Sequence, residues 1–207
     1  MTITTMRISI IGCGNMGAAF ARSFVKYGLV KPADQLLVVR DQRRVHELEP
    51  LGQVAFQIDD RTAMSDLVIL AVKPQDFSKV GPLLAPVLHP GQVVLSIMAG
   101  ITLTRLTEVL CHGTVVRAMP NAPAQVGMGI TAYATGSELT MRQTLMVEQL
   151  LNCTGRAMHL ADEALLDPVT ALSGSGPAYF FEVVRTMIAT GIRLGLEPHV
   201  ANALVKQ

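Results

Sequence analysis

Only three cysteines occur in the 207 residues, Cys13, Cys111 and Cys153. Their odd number and irregular spacing exclude a disulfide framework and fit reduced thiols in a cytoplasmic protein. Charge of one sign is equally scarce. Seventeen basic residues face sixteen acidic ones, with no run of either, which removes the electrostatic basis for holding nucleic acid or an anionic membrane. The longest strongly apolar run, Leu67 to Val72, is too short to cross a bilayer. No secretion signal is expected, because Gly12 and Asn15 break the first apolar stretch and no basic segment precedes it. Metal-ligand spacing is missing too: His46, His89, His112, His159 and His199 lie far apart and read as surface or packed imidazoles. Internal repeats and low-complexity segments are absent. What remains for a partner is a small molecule.

Half of the residues are apolar, enough for a real core in one domain or one and a fraction. Met1 to Thr5 carries no pattern and reads as a frayed leader. Arg7 to Ile11 is β-branched and apolar, Gly-Cys-Gly-Asn-Met-Gly follows, and then Met16, Phe20, Phe24 and Tyr27 recur at helical spacing. This is strand, tight turn, helix. Further apolar strands are expected at Leu36–Val39, Val54–Gln57, Leu67–Val72, Val93–Ile97 and Val115–Arg117, with helical segments at Arg43–Glu49 and Leu103–Leu110. Continuously apolar strands alternating with helices imply a parallel sheet covered on both faces, the doubly wound Rossmann-type α/β architecture. Beyond Pro120, Ile130–Ala134 is expected to add an edge strand, Thr140–Leu151 a helix and Gly155–Leu160 a last extended piece. From Ala178 a long helix with a broad apolar face runs to a stop at Gly195, and Pro198 opens another.

Gly12, Gly14 and Gly17 form GxGxxG between the first strand and helix, the pattern in which one glycine makes the turn, one admits a pyrophosphate and one permits close packing. Free amides at the helix start then bind phosphate. The second strand ends in Val39-Arg40-Asp41. Arg40, with Arg43 and Arg44 nearby, is placed for the extra phosphate of NADP, while Asp41 would serve a ribose hydroxyl or cap the next helix; NADPH is therefore favoured, with NADH possible. Lys73-Pro74-Gln75 and Ser96-Ile97-Met98-Ala99-Gly100 follow the fourth and fifth strands, at the edge where ligands bind in such sheets. Lys73 is either a cofactor contact or a solvated loop cation. Two rigid corners complete the set: Arg117-Ala118-Met119-Pro120-Asn121-Ala122-Pro123 and Ser173-Gly174-Ser175-Gly176-Pro177, the second read as leaving amides and hydroxyls free before a helix.

Taken in order, GCGNMG, AVKPQ, SIMAG, RAMPNAP and ALSGSGPAYFF resemble the pyrroline-5-carboxylate reductase family across almost the whole chain. The resemblance implies an NADP-binding domain over 1–162 and, over 163–207, the start of a helical dimerisation and substrate domain. Gly12, Cys13, Gly14, Asn15, Met16, Gly17 and Arg40 would hold NADPH, Val72, Lys73 and Pro74 would line its ribose side, and Ala99 and Gly100 would lie near the nicotinamide. Asn121, Ser173 and Ser175 would form the catalytic cleft. The implied reaction is hydride transfer to the imine carbon of pyrroline-5-carboxylate, giving proline, in a cytoplasmic homodimer or higher homo-oligomer joined through the C-terminal helices. Three departures stand out. Ala122 replaces a usual threonine and Met98 a smaller residue, so substrate fit or affinity is expected to differ. Members also continue past the equivalent of Gln207 into a loop that binds the substrate carboxylate, so this chain is expected to bind NADPH yet turn over substrate poorly. The competing readings are a silent NADP-binding paralogue or fragment, and a different NADP-dependent oxidoreductase on the same scaffold.

Overall fold

A computed structural model describes residues 6–207; the expected frayed leader at Met1–Thr5 lies outside the described residues. β1 (Ile8–Ile11) passes through the glycine turn into α1 (Asn15–Lys26), and β2 (Gln35–Val38), α2 (Val45–Leu48) and β3 (Gln53–Ala55) follow. Next come β4 (Leu67–Leu70), α3 (Phe77–Leu84), β5 (Val93–Ser96), α4 (Leu103–Leu110) and β6 (Val115–Pro120). The chain then reverses. β7 (Gly129–Thr135) runs antiparallel to β6, α5 (Met141–Asn152) carries the chain back, and β8 (Gly155–His159) pairs parallel to β7. A short α6 (Leu166–Val169), a π-helical turn (Thr170–Gly174), α7 (Gly176–Arg193) and α8 (Pro198–Lys206) end the described residues.

The sheet order is β3-β2-β1-β4-β5-β6-β7-β8, and its first six strands are all parallel in the 3-2-1-4-5-6 order of dinucleotide-binding folds. The strands are apolar without alternation because both faces are covered. Ile8 and Ile10 pack on one side with Phe20 and Phe24 of α1 and with Val147, Leu150 and Leu151 of α5. Ile11, Val68 and Leu70 pack on the other with Phe77, Leu84, Leu103 and Leu106 of α3 and α4.

Three expectations change. The segment Ile130–Ala134 belongs to β7, which is not an edge strand: the α5 crossover returns the chain outside it, and β8 takes the edge. β6 runs on to Pro120, past the expected end at Arg117, because the antiparallel β7 pairs with it as far as Thr131 opposite Pro120. The unforeseen α3 carries Gly81 and Pro82, residues that argue against a helix; Gly81 is needed there because a Cβ would collide with Val109 of α4.

The helical segment is fastened to the sheet by one buried cation. Arg117, on β6, has a side chain only 5% exposed; its Nη1 donates to Glu163 Oε1 (2.9 Å) and its Nη2 to Asp167 Oδ1 (2.7 Å). Glu163 Oε1 also accepts the Leu103 amide at the start of α4 (2.7 Å). Leu166 is fully buried between these two carboxylates in sequence. α7 beyond this anchor is different: Val184, Ile188 and Gly191 are half-buried, with α8 packed at Gly191 through Ala201, while Tyr179, Val183 and Met187 form an exposed stripe at four-residue spacing beside exposed Phe180 and Phe181.

Replacing Arg117 with alanine is expected to lower the unfolding free energy by about 3 kcal/mol, since a largely covered carboxylate loses its cation. Asp167→Asn, at a side chain 75% exposed, should cost less than about 1 kcal/mol. Urea unfolding followed by circular dichroism compares the two; equal losses would contradict this account.

Candidate active site

The turn after β1 is built against both neighbouring strands. Gly12 and Cys13 donate their amides to Val38 O (2.9 and 3.0 Å), and Gly12 takes φ +88°. A Cβ on Gly12 would meet Val72 Cγ1 at 2.5 Å, and one on Gly17 would press on Gly12 O at 3.1 Å and Ile10 Cγ2 at 3.2 Å. Those two glycines serve the turn and the seating of α1. Gly14 is different: it is exposed, and a Cβ there would find nothing nearer than 3.9 Å. The fold does not need a glycine at 14, whereas close approach of a pyrophosphate does. α1 begins without any side-chain cap, so the amides of its first turn, from Asn15, Met16 and Gly17, stay available to an anion. The cradle fits a dinucleotide. Cys13 lies beneath it with no exposure, and burial pushes its thiol up to about 12 despite the nearby Arg44 guanidinium. It is a packed neutral group.

At the end of β2 every arginine has a carboxylate partner. Arg40 Nη2 pairs with Asp76 Oδ2 (3.1 Å) across the edge of the sheet. Arg43 is gripped by Asp41 through Nε (2.9 Å) and Nη2 (2.8 Å), which holds the Asp41 carboxyl down at about 2. Asp41 also accepts the Arg43 amide (3.1 Å) and so caps the turn that leads into α2. Arg44 chelates Glu47 and donates Nη1 to Cys13 O (2.9 Å), which sets it beside the glycine turn; Glu47 is shared with Arg22.

The remaining segments follow the ends of β4, β5 and β6 in spatial order. Val72 and Pro74 are half-buried and Lys73 is exposed, ahead of a tight turn over Pro74–Asp76. Ala99 and Gly100 are exposed after β5, with Gly100 at φ +72°. Met98 does not line the edge: it is 2% exposed and packs in the core with α3 and α4, so the effect on substrate fit expected from this departure has no direct route. Ala122, half-buried in the turn after β6, keeps its place at the edge. Asn121 accepts the Ile130 amide at Oδ1 (3.0 Å) and donates Nδ2 to Ser173 Oγ (3.3 Å). The structure thus joins Asn121 to Ser173. Gly174 lies against Met119, where a Cβ would come to 2.6 Å from its Cε.

The corner before α7 is less open than expected. Residues Thr170–Gly174 wind as a π-helical turn continuous with α6, and the Ser175 amide donates to Thr170 O (2.8 Å). Ser175 precedes α7 without capping it, and Pro177 sits in the first turn. Local backbone bonding therefore takes up an amide that the sequence suggested was free. A wide groove lined by Tyr27, Leu29, Leu145, Glu148 and Asn152 lies at the C-terminal end of α1, the end opposite the glycine turn. Asp76 and Glu163 were not foreseen, because each meets its arginine only through the order of strands.

A parallel 3-2-1-4-5-6 sheet with a glycine turn on its first strand and a helical segment drawn over the same edge defines a Rossmann-type NAD(P)-dependent oxidoreductase. The family model described as "NADP oxidoreductase coenzyme F420-dependent" matches residues 7–100, and that described as "Pyrroline-5-carboxylate reductase dimerisation" matches residues 163–207. A pyrroline-5-carboxylate reductase of Pseudomonas aeruginosa is 37% identical over 210 residues, covering 99% of this chain and 76% of its own length. The solved reductase of Streptococcus pyogenes superposes with a TM-score of 0.82 at 31% identity, over 98% of this chain and 76% of that one. That of Coxiella burnetii gives 0.85 at 27%, over 99% and 77%. The chain belongs to the pyrroline-5-carboxylate reductase family.

Gly14→Val is expected to abolish dinucleotide binding with the fold intact, because its Cβ branches enter open space over the turn. Gly12→Val should instead lose the fold. Fluorescence titration with NADPH and circular dichroism separate the two, and binding by a folded Gly14→Val protein would refute the site. For the thiols, exposed Cys111 should react readily with a disulfide reagent at pH 8, and Cys13 only after denaturation. Mass spectrometry of the labelled peptides reads the order.

Proposed function

We propose that the chain catalyses the NADPH-dependent reduction of pyrroline-5-carboxylate to proline, the last step of proline biosynthesis. Bound NADPH supplies the hydride for the imine carbon. The turn Gly12 to Gly17 would take its pyrophosphate on the free amides of Asn15, Met16 and Gly17, with Gly12 and Cys13 shaping the turn from beneath. Arg40 would meet the 2′-phosphate, Val72, Lys73 and Pro74 would line the ribose side, and Ala99 and Gly100 would leave room beside the nicotinamide. Asn121, Ser173 and Ser175 shape the substrate end. A protonated imine is already electrophilic, so these residues need to position and exclude water rather than transfer a proton, and no acid–base dyad is required. The observation that carries the reading is the Asn121–Ser173 hydrogen bond, which ties the second segment to the sheet edge where the glycine turn lies.

We assign 1–162 as the nucleotide domain and 163–207 as the second unit, its first turns docked on the first through Arg117. A second copy covers the exposed stripe of α7, giving a homodimer or larger homo-oligomer, since apolar patches of this kind mark interfaces. Among the described residues no helix is long and apolar enough to cross a membrane. Three free thiols suit the reducing cytoplasm, where we place the protein. A second reading, an NADP-binding chain with little turnover by itself, is favoured by the same uncovered stripe on α7.

Oxidation of NADPH followed at 340 nm with pyrroline-5-carboxylate tests the function, and appearance of proline is the expected result. Ser173→Ala should lower kcat/KM about fivefold, the worth of one hydrogen bond. NADPH binding without turnover at any protein concentration would support the second reading. Light scattering checks the assembly: Phe180→Glu is expected to shift the mass toward the monomer.

A further inference from the structure

We infer that Asp76 sets the balance between NADPH and NADH by competing with the adenosine 2′-phosphate for Arg40. This rests on the cofactor reading given above. β2 and β4 flank β1 on opposite sides, with Ile11 in register with Val38 and with Leu70. Their ends therefore stand about 10 Å apart, twice the spacing of neighbouring strands. Arg40, two residues beyond Val38, and Asp76, six beyond Leu70, close that gap with a single contact of 3.1 Å between Nη2 and Oδ2. The strand they bridge is the one that runs into the glycine turn. In a sheet of this order the adenosine end of a dinucleotide lies beside that turn.

The three arginines after β2 are not equivalent. Arg43 and Arg44 are each held by two or more contacts to one carboxylate, and Arg44 also spends a donor on Cys13 O. Arg40 makes one contact and keeps 83% of its side chain exposed, so it retains donors for a phosphate. Asp76 is the fixed partner: its side chain is 21% exposed, and its amide is tied to Lys73 O (2.9 Å) in the turn. A phosphate dianion arriving at Arg40 must share the guanidinium with this carboxylate at close range. A ribose hydroxyl carries no charge and can donate to it. Asp76 thus weakens NADPH selectively, through Arg40.

The test is calorimetric titration of adenosine 2′,5′-bisphosphate, AMP, NADPH and NADH into the wild-type protein, Asp76→Asn, Arg40→Ala and the double variant, with circular dichroism as the control for folding. Asp76→Asn is expected to tighten NADPH and the bisphosphate about three- to fivefold, the scale of an exposed ion pair, and to leave NADH and AMP within twofold. In the Arg40→Ala background the same change should give less than 1.5-fold. Asp76→Glu, which keeps the charge, should restore most of the wild-type ratio. An equal gain in both backgrounds, or no gain in either, overturns competition for Arg40 while leaving the proposed reaction standing. A wild-type protein that binds NADH and AMP but neither 2′-phosphorylated ligand overturns this inference together with the assignment of NADPH.

Discussion

The buried guanidinium of Arg117 is the interaction on which the arrangement of the site depends. A cation at 5% exposure in the middle of β6 requires acceptors, and Glu163 and Asp167 are the two carboxylates that supply them. Satisfying it brings residues 163–167 back over the strand ends. The chain then has only a few residues before Ser173, so the hydrogen bond to Asn121 and the contact between Gly174 and Met119 follow from the first anchor. Glu163 extends the constraint to the start of α4 through the Leu103 amide, so the segments after β5 and β6 and the turn before α7 are held relative to one another.

The other end of the edge is organised by backbone geometry instead of charge. Gly12 and Gly17 let the turn and α1 sit against Val72, Ile10 and Ala71, and the amides bonded to Val38 O tie the turn to β2. Charge there is balanced pair by pair: Arg40 with Asp76, Arg43 with Asp41, Arg44 with Glu47. Each guanidinium there already has a carboxylate partner, so on the proposed function a ligand phosphate would have to share its cation with that partner.

What was legible in the sequence is what short-range rules govern. Continuous apolar runs announced the buried strands β1, β2, β4 and β5, and Gly12, Gly14 and Gly17 announced the turn because their spacing matches one strand-to-helix junction. Pairing was not legible. Nothing in Ile130–Ala134 reveals that another strand lies outside it, since an apolar run is the same at an edge as one place in. Gly81 and Pro82 hid α3 because the reason for the glycine, contact with Val109, is tertiary. Met98 looked like a cleft residue by its position in a motif, yet its side chain turns into the core. Arg40 was found and Asp76 was not: they are 36 residues apart and meet only because β1 lies between β2 and β4.

The uncapped start of α1 gives the glycine turn a thermodynamic role as well as a recognition role. A serine or aspartate before a helix supplies its own acceptor and fixes helix stability once and for all; Gly14 supplies none. The acceptor for those amides comes from outside the polypeptide, water or a bound phosphate, and a phosphate that binds only the folded turn is counted in the folding equilibrium. Occupancy at a hundred times the dissociation constant adds about 2.7 kcal/mol, comparable to the loss of a buried ion pair. For this chain the concentration of its dinucleotide is a determinant of how much of it is folded.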